Sequence, residues 1–152
     1  MQRSKRLTPI KELAQNNEKN AAHALASALE KQKRESDKLE QLFQYRIEYL
    51  QQMEVQIKKG INGTKLQQYH LFLSKLDSAI SHQKNVFESC VKQLDRTKNN
   101  WQQKHCKTEA ISQVMNKMAV KEQNVLDKRE AKQNDEISTQ AFIRRQNTLQ
   151  HH

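Results

Sequence analysis

Helix-stopping residues are almost missing from this chain. Its only glycines are Gly60 and Gly63, and its only proline is Pro9. Nothing between Pro9 and Gly60, or from Thr64 to about Leu149, forces a helix to end. Apolar residues are scarce too: 35% of the chain, against about 45–50% in ordinary domains, while 29% is charged. That is too little apolar area for a thick globular core. Polarity alone would also permit disorder, but a sustained apolar period runs through the chain and argues against it. A coiled coil needs only a narrow apolar seam and fits what remains.

Other absences exclude whole classes. No stretch approaches the roughly 18–20 apolar residues of a membrane span. No apolar segment follows the basic start as a secretory signal requires. The expectation is a cytoplasmic protein, recruited to a membrane only through a partner. The two cysteines, Cys90 and Cys106, lie on one predicted helix. Their spacing puts them roughly 24 Å apart along its axis, too far for a disulfide. Free thiols in a reducing compartment are expected.

The net charge is +10, from 27 basic and 17 acidic residues, yet no block of five or six like charges occurs. A charge of this sign admits nucleic acid, anionic lipid or an acidic protein as partner. A nucleic-acid-binding coiled coil would need a dense basic helix face, which is lacking. Scattered charge reads better as the solvated surface of a coiled coil. Arg3, Lys5 and Arg6 are a small exception.

What is present is one turn and two helical arms. Asn-Gly is a strong turn dipeptide, and glycine tolerates the left-handed backbone that closes a helix. Gly60-Ile61-Asn62-Gly63 therefore predicts a helical hairpin, all-α, with arm one over about 8–59, the turn at 60–63 and arm two over about 64–149. Thr8-Pro9 suits a helix start, with Thr8 as cap. Thr64 and Gln67 suit a capping box for the second arm. The first seam reads Leu25, Leu29, Gln32, Ser36, Leu39, Phe43, Arg46, Leu50, Met53 and Ile57, in steps of four and three. The second runs Leu66, Tyr69, Leu73, Leu76, Ile80, Gln83, Phe87, Cys90, Leu94, Thr97, Trp101, Lys104, Thr108, Ile111, Met115, Met118, Glu122 and Val125. Folding about residues 61–62 sets Leu50 near Leu73, Phe43 near Ile80, Trp101 near Ala22 and Leu7 near residue 116. Residues from about 119 onward form a polar overhang without a partner in this chain.

No catalytic constellation stands out. There is no glycine-rich phosphate loop and no nucleophile elbow, and a slender coiled coil makes no concave, partly dry pocket. His105 and Cys106 are adjacent, so a helix points them about 100° apart, which is unsuited to a shared metal. His23, His70 and His82 read as surface residues, and His151 and His152 are assigned no role. No enzyme, cofactor or metal site is expected.

The informative feature is an apolar surplus beside the seam. With Leu39, Phe43, Arg46 and Leu50 in core positions, Leu42, Tyr45 and Tyr49 form a flanking stripe. Phe72 and Ala79 flank Leu73, Leu76 and Ile80 in the same way. The two stripes can merge into an aromatic patch about 15–25 Å from the turn. Such residues either broaden a two-stranded core, bury against a second copy, or form a binding site. A cluster of Tyr, Phe and Leu on an otherwise polar surface favours the binding site.

Around this patch the residues resemble a known family. Leu39-Glu-Gln-Leu-Phe-Gln-Tyr-Arg-Ile-Glu-Tyr-Leu50, then Gly60-Ile61, then Leu66-Gln-Gln-Tyr-His-Leu-Phe-Leu-Ser-Lys-Leu-Asp-Ser-Ala-Ile80 are similar to the FliJ flagellar export proteins of proteobacteria. The Arg6-Leu7-Thr8-Pro9 start, with Leu13-Ala14, and the region of Trp101 are similar too. The resemblance implies an antiparallel coiled coil like the central stalk subunit of rotary ATPases. It implies a non-enzymatic component of the flagellar type III export apparatus, one that promotes assembly and activity of a hexameric export ATPase. It further implies docking on the cytoplasmic domain of the export gate and escort of export chaperones. The family's gate-binding face falls on Leu42, Tyr45, Tyr49, Phe72, Leu76 and Ala79. Leu76 is the one of these that the heptads place in the core. Two edge positions depart: Lys38 stands where the family often has Gln, and Gln83 where His can occur, with His82 beside it. The implied location is the cytoplasmic face of the inner membrane at the flagellar base, with membrane contact only through the apparatus. A stalk of a related non-flagellar type III secretion system is the alternative.

Overall fold

The computed structural model describes residues 3–150; Met1, Gln2, His151 and His152 lie outside it. Three helices account for the described chain: α1 over Arg3–Arg6, α2 over Thr8–Lys59 and α3 over Gly63–Gln150. Among the described residues there is no strand and no cis peptide bond. The two long helices pack together, as the single turn requires. Two compact units are resolved, one of residues 17–104 and one of residues 1–16 with 105–152.

The turn belongs to the first unit. Gly60 takes φ of +85°, the left-handed value for which glycine has no steric cost. Its N–H donates to the Ile57 carbonyl at 3.1 Å, satisfying one of the last free carbonyls of α2. Lys58 and Lys59 lie in that last turn, where cations offset the helix dipole. The start of α3 corrects the expected cap. Asn62, not Thr64, is the capping residue: its Oδ1 accepts the Lys65 N–H at 2.8 Å, and its carbonyl accepts the Leu66 N–H at 3.1 Å. Asparagine is among the best N-caps and ranks above threonine. Capping two residues earlier also places Gly63 and Thr64 inside the helix and leaves a shorter connection.

Within residues 17–104, α2 and α3 form an antiparallel coiled coil. The seam of α3 is the expected one. Leu73, Leu76, Ile80 and Cys90 are buried, and Leu66, Tyr69, Gln83, Phe87, Leu94, Thr97, Trp101 and Lys104 are half-buried. Complete burial of a leucine or isoleucine side chain contributes about 1.5–3 kcal/mol, so this short run carries much of the unit's stability. On α2 the expected seam is wrong at three of its ten positions. Leu25, Gln32, Ser36, Leu39, Arg46, Leu50 and Met53 are half-buried as expected. Ala28, Leu42 and Gln56 are half-buried in place of Leu29, Phe43 and Ile57, which are 49%, 40% and 47% exposed, while Glu35 and Tyr49 are half-buried together with Ser36 and Leu50. The helix is rolled toward the residue one position earlier, completely at 28, 42 and 56 and partly at 35 and 49. Phe43 is not wasted on the outside, because Lys84 Nζ stands 5.3 Å above its ring as a cation–π partner. Ala21, rather than Ala22, is the small residue buried on the distal part of α2.

The second unit joins the start of the chain to the distal part of α3. Here Ala14 and Thr108 are buried, and Leu7, Lys11, Ile111, Met115 and Met118 are half-buried. The helix start differs from the expected one: the Leu7 carbonyl accepts the Lys11 N–H at 2.9 Å, so Leu7 holds the cap position and Thr8 is already helical. Ser4, on α1, donates to Glu122 through both its amide, at 3.1 Å, and its hydroxyl, at 2.7 Å. That pairing lowers the Glu122 pKa below its ordinary 4.5, chiefly through the Ser4 hydroxyl, with help from the Ser4 and Arg3 amides. Every described residue from Gln123 onward is exposed.

Candidate functional site

The turn-proximal part of the first unit gathers the aromatic residues. Tyr45 and Tyr49 sit one helical turn apart on α2, and Tyr69 and Phe72 nearly so on α3. Packing of the arms closes them into one cluster. The Tyr49 and Phe72 ring centroids are 4.4 Å apart, Tyr49 and Tyr69 are 5.2 Å apart, and Tyr45 meets Phe72 edge-on at 5.9 Å. Such separations are those of favourable aromatic pairs, each adding about 0.5–1.5 kcal/mol beyond burial. Phe72 meets both tyrosines of α2, and Tyr49 meets both Tyr69 and Phe72.

The six residues marked in the sequence divide into three kinds. Tyr45 is 48% exposed and Ala79 is exposed, so both are open to a partner. Leu42, Tyr49 and Phe72 are half-buried, presenting an edge while packing inward. Leu76 is only 6% exposed and lies in the seam, as its heptad position required. The flanking stripe therefore needs correcting: Leu42 and Tyr49 occupy the seam of α2 instead of running beside it. Burial of Tyr49 raises its pKa above the ordinary 10.0, with Tyr69 and Tyr45 adding to the rise. Tyr69 belongs to the cluster but was not among the marked residues. It was read as a seam position, and its contact with Tyr49 depended on the roll of α2.

The two edge positions that depart from the family pattern meet at a single residue. Gln83 Nε2 donates to the Glu35 carboxylate at 2.6 Å and to the Glu35 carbonyl at 3.0 Å. Lys38 Nζ approaches the other carboxylate oxygen at 3.3 Å. Glu35 is held below its ordinary 4.5, first by the Gln83 hydrogen bond, which outweighs the opposing effect of burial, with Lys38 lowering it further. Gln83 thus bridges the arms to Glu35, and Lys38 supports the same carboxylate from within α2. A second bridge, Arg46 Nε to Asp77 at 2.6 Å, is half open to solvent and worth little by itself.

Among the described residues no three His, Cys, Asp or Glu side chains converge to hold a metal ion, and no helix is long and apolar enough to cross a membrane. Cys90 is buried and Cys106 exposed, both as free thiols. The arrangement offers an aromatic surface with a polar margin, suited to holding another protein.

Comparison with known proteins agrees with this outline. The family model described as Flagellar FliJ protein matches residues 3–147. The Flagellar FliJ protein of Escherichia coli strain K12 is 23% identical over 142 residues, covering 91% of this chain and 95% of that protein. No solved structure matches the chain.

Proposed function

The chain belongs to the flagellar FliJ family, and on that footing we propose that it is a non-enzymatic stalk of the flagellar type III export apparatus. The reading is carried by one observation. Tyr45, Tyr49 and Phe72, three positions that match the family's gate-binding face, converge within 4.4–5.9 Å on a surface that is left partly open. An aromatic cluster with exposed edges is the usual core of a protein-binding hot spot. In this role the cluster, with Leu42 and Ala79, docks on the cytoplasmic domain of the export gate. Leu76 acts from beneath, by holding Phe72 and its neighbours in place.

The second unit serves the ATPase. The unit of residues 1–16 and 105–122 enters the hexameric export ATPase and promotes its assembly and turnover. The described residues beyond 122, all exposed, gain partners from another protein only in the assembly. Export chaperones are the third class of partner. The protein works in the cytoplasm and reaches the inner membrane at the flagellar base through the gate.

Two measurements test the reading. Hexamerisation and turnover of the export ATPase, with and without this chain at micromolar concentration, should both rise; no change removes the stalk role. The double substitution Tyr45→Ala, Tyr49→Ala should weaken gate binding while circular dichroism stays helical. Collapse of helicity instead would show that the tyrosines only hold the arms together.

A further inference from the structure

Two clefts in the unit of residues 17–104 differ in the charge that lines them. One open groove between α2 and α3 is floored by Ala28, Val86 and Cys90 and rimmed by Lys31, Lys92 and Arg96. Amides and a serine complete its lining, and no carboxylate contributes. A neighbouring cleft on α2 has the opposite character, lined by Asp37 and Glu40 with two glutamines. None of the three groove cations closes an ion pair among the described residues. Lys31 adds only to the field on Glu35, whose carboxylate is already engaged by Gln83 and Lys38.

We propose that this groove binds an acidic amphipathic helix of a partner protein. Cations stand on both walls, Lys31 on α2 and Lys92 with Arg96 on α3, so an anionic segment lying between them is neutralised from two sides. Lys92 and Arg96 are four residues apart, about 6 Å along the axis, which is the spacing of carboxylates at i and i+4 on a helix lying parallel to α3. The floor is made of small or modest side chains, so a third helix can approach closely and rest apolar residues on Val86 and Ala28. A second copy of this chain is a poor occupant, since two molecules of charge +10 repel. Arg96 and Lys31 lie some 30 residues or more from the turn, roughly 45 Å along the helices, well past the aromatic cluster. The inference is therefore independent of gate docking.

The test uses the full chain and a labelled synthetic helix of about 20 residues with glutamates at i and i+4 on one face and alanine and leucine beside them. Anisotropy should report binding that weakens severalfold as salt rises from about 50 to 300 mM. Lys31→Glu with Arg96→Glu should weaken it by about tenfold or more, as like-charge contacts do. The milder pair Lys92→Gln, Arg96→Gln should act in the same direction. Lys65→Glu with Lys75→Glu makes the same change in net charge elsewhere and should leave binding within about twofold. Equal loss in that control would overturn the proposal, as would equal binding of the glutamine version of the peptide. Tighter binding of duplex DNA through the same residues would reassign the groove to nucleic acid. Concentration-dependent self-association abolished by the same reversals would reassign it to a second copy.

Discussion

Leu76 and Tyr45 separate what holds the arms together from what a partner can grip. Leu76 is 6% exposed in the α3 seam, so Leu76→Ala removes buried carbon and leaves a hole. Such truncations cost about 2–5 kcal/mol. A two-helix seam is open at its sides and can collapse partly, which favours the lower part of that range, about 2–3 kcal/mol. Tyr45 is nearly half exposed and makes a single edge-on ring contact, with Phe72 at 5.9 Å. Losing that contact and its share of buried surface should cost about 1 kcal/mol. The difference, about 1.5 kcal/mol, is more than tenfold in the unfolding equilibrium and easily resolved. Urea unfolding followed by circular dichroism should place the midpoint of Leu76→Ala well below that of Tyr45→Ala. Gate binding under native conditions should show the reverse order, with Tyr45→Ala the weaker binder. If Tyr45→Ala unfolds as readily as Leu76→Ala, the aromatic cluster is core and the division is wrong. If Leu76→Ala abolishes gate binding while stability holds, Leu76 touches the partner directly.

Three further outcomes are expected. Gly60→Ala meets no neighbouring atom, so its cost is that of the left-handed backbone alone, about 1–2 kcal/mol; Asn62→Ala should cost about 1 kcal/mol for the lost cap, both read from thermal melts. Glu35 and Glu122 have lowered pKa values, so their contribution is present above 4.5 and is lost as pH falls through the lower folded values, whereas Tyr49, with its pKa raised, should make stability decline once pH exceeds 10.0. Carboxylate titration by NMR should show the acid-side shift of Glu35 shrinking in Gln83→Ala, and tyrosinate absorbance should show the alkaline one vanishing in Tyr49→Phe. Removing residues 127–150, all exposed, should leave the melting temperature of the remainder unchanged within about 2 °C; a larger fall would mean that the segment packs in solution.

How much could be read before folding differs between the arms. On α3 each expected seam residue from Leu66 to Glu122 is buried or half-buried, and only Val125, beyond the last partner, is not. Apolar neighbours recur on this arm too, as Phe72 with Leu73 and Val86 with Phe87, but the alternation of four and three holds in one phase through the whole run. On α2 apolar residues come in neighbouring pairs or near-pairs: Leu42 with Phe43, Tyr49 with Leu50, Ala28 with Leu29. Two adjacent apolar positions leave the inward face of a helix undecided by about 100°, and periodicity alone cannot choose. The opposite arm decided it, with Tyr69 and Phe72 drawing Tyr49 inward and Lys84 covering Phe43. The cap was undecided for a similar reason, since Asn62 and Thr64 are both competent and only the geometry of the turn selects between them. Sequence by itself determined the all-helical hairpin, the place of its turn, the seam of α3 and the aromatic stretch that marks the family. Those follow from local propensity and from spacing along one helix. The roll of α2, the membership of Tyr69 in the cluster and the meeting of Lys38 with Gln83 at Glu35 were decided only by tertiary structure, because each depends on which face one helix turns toward another.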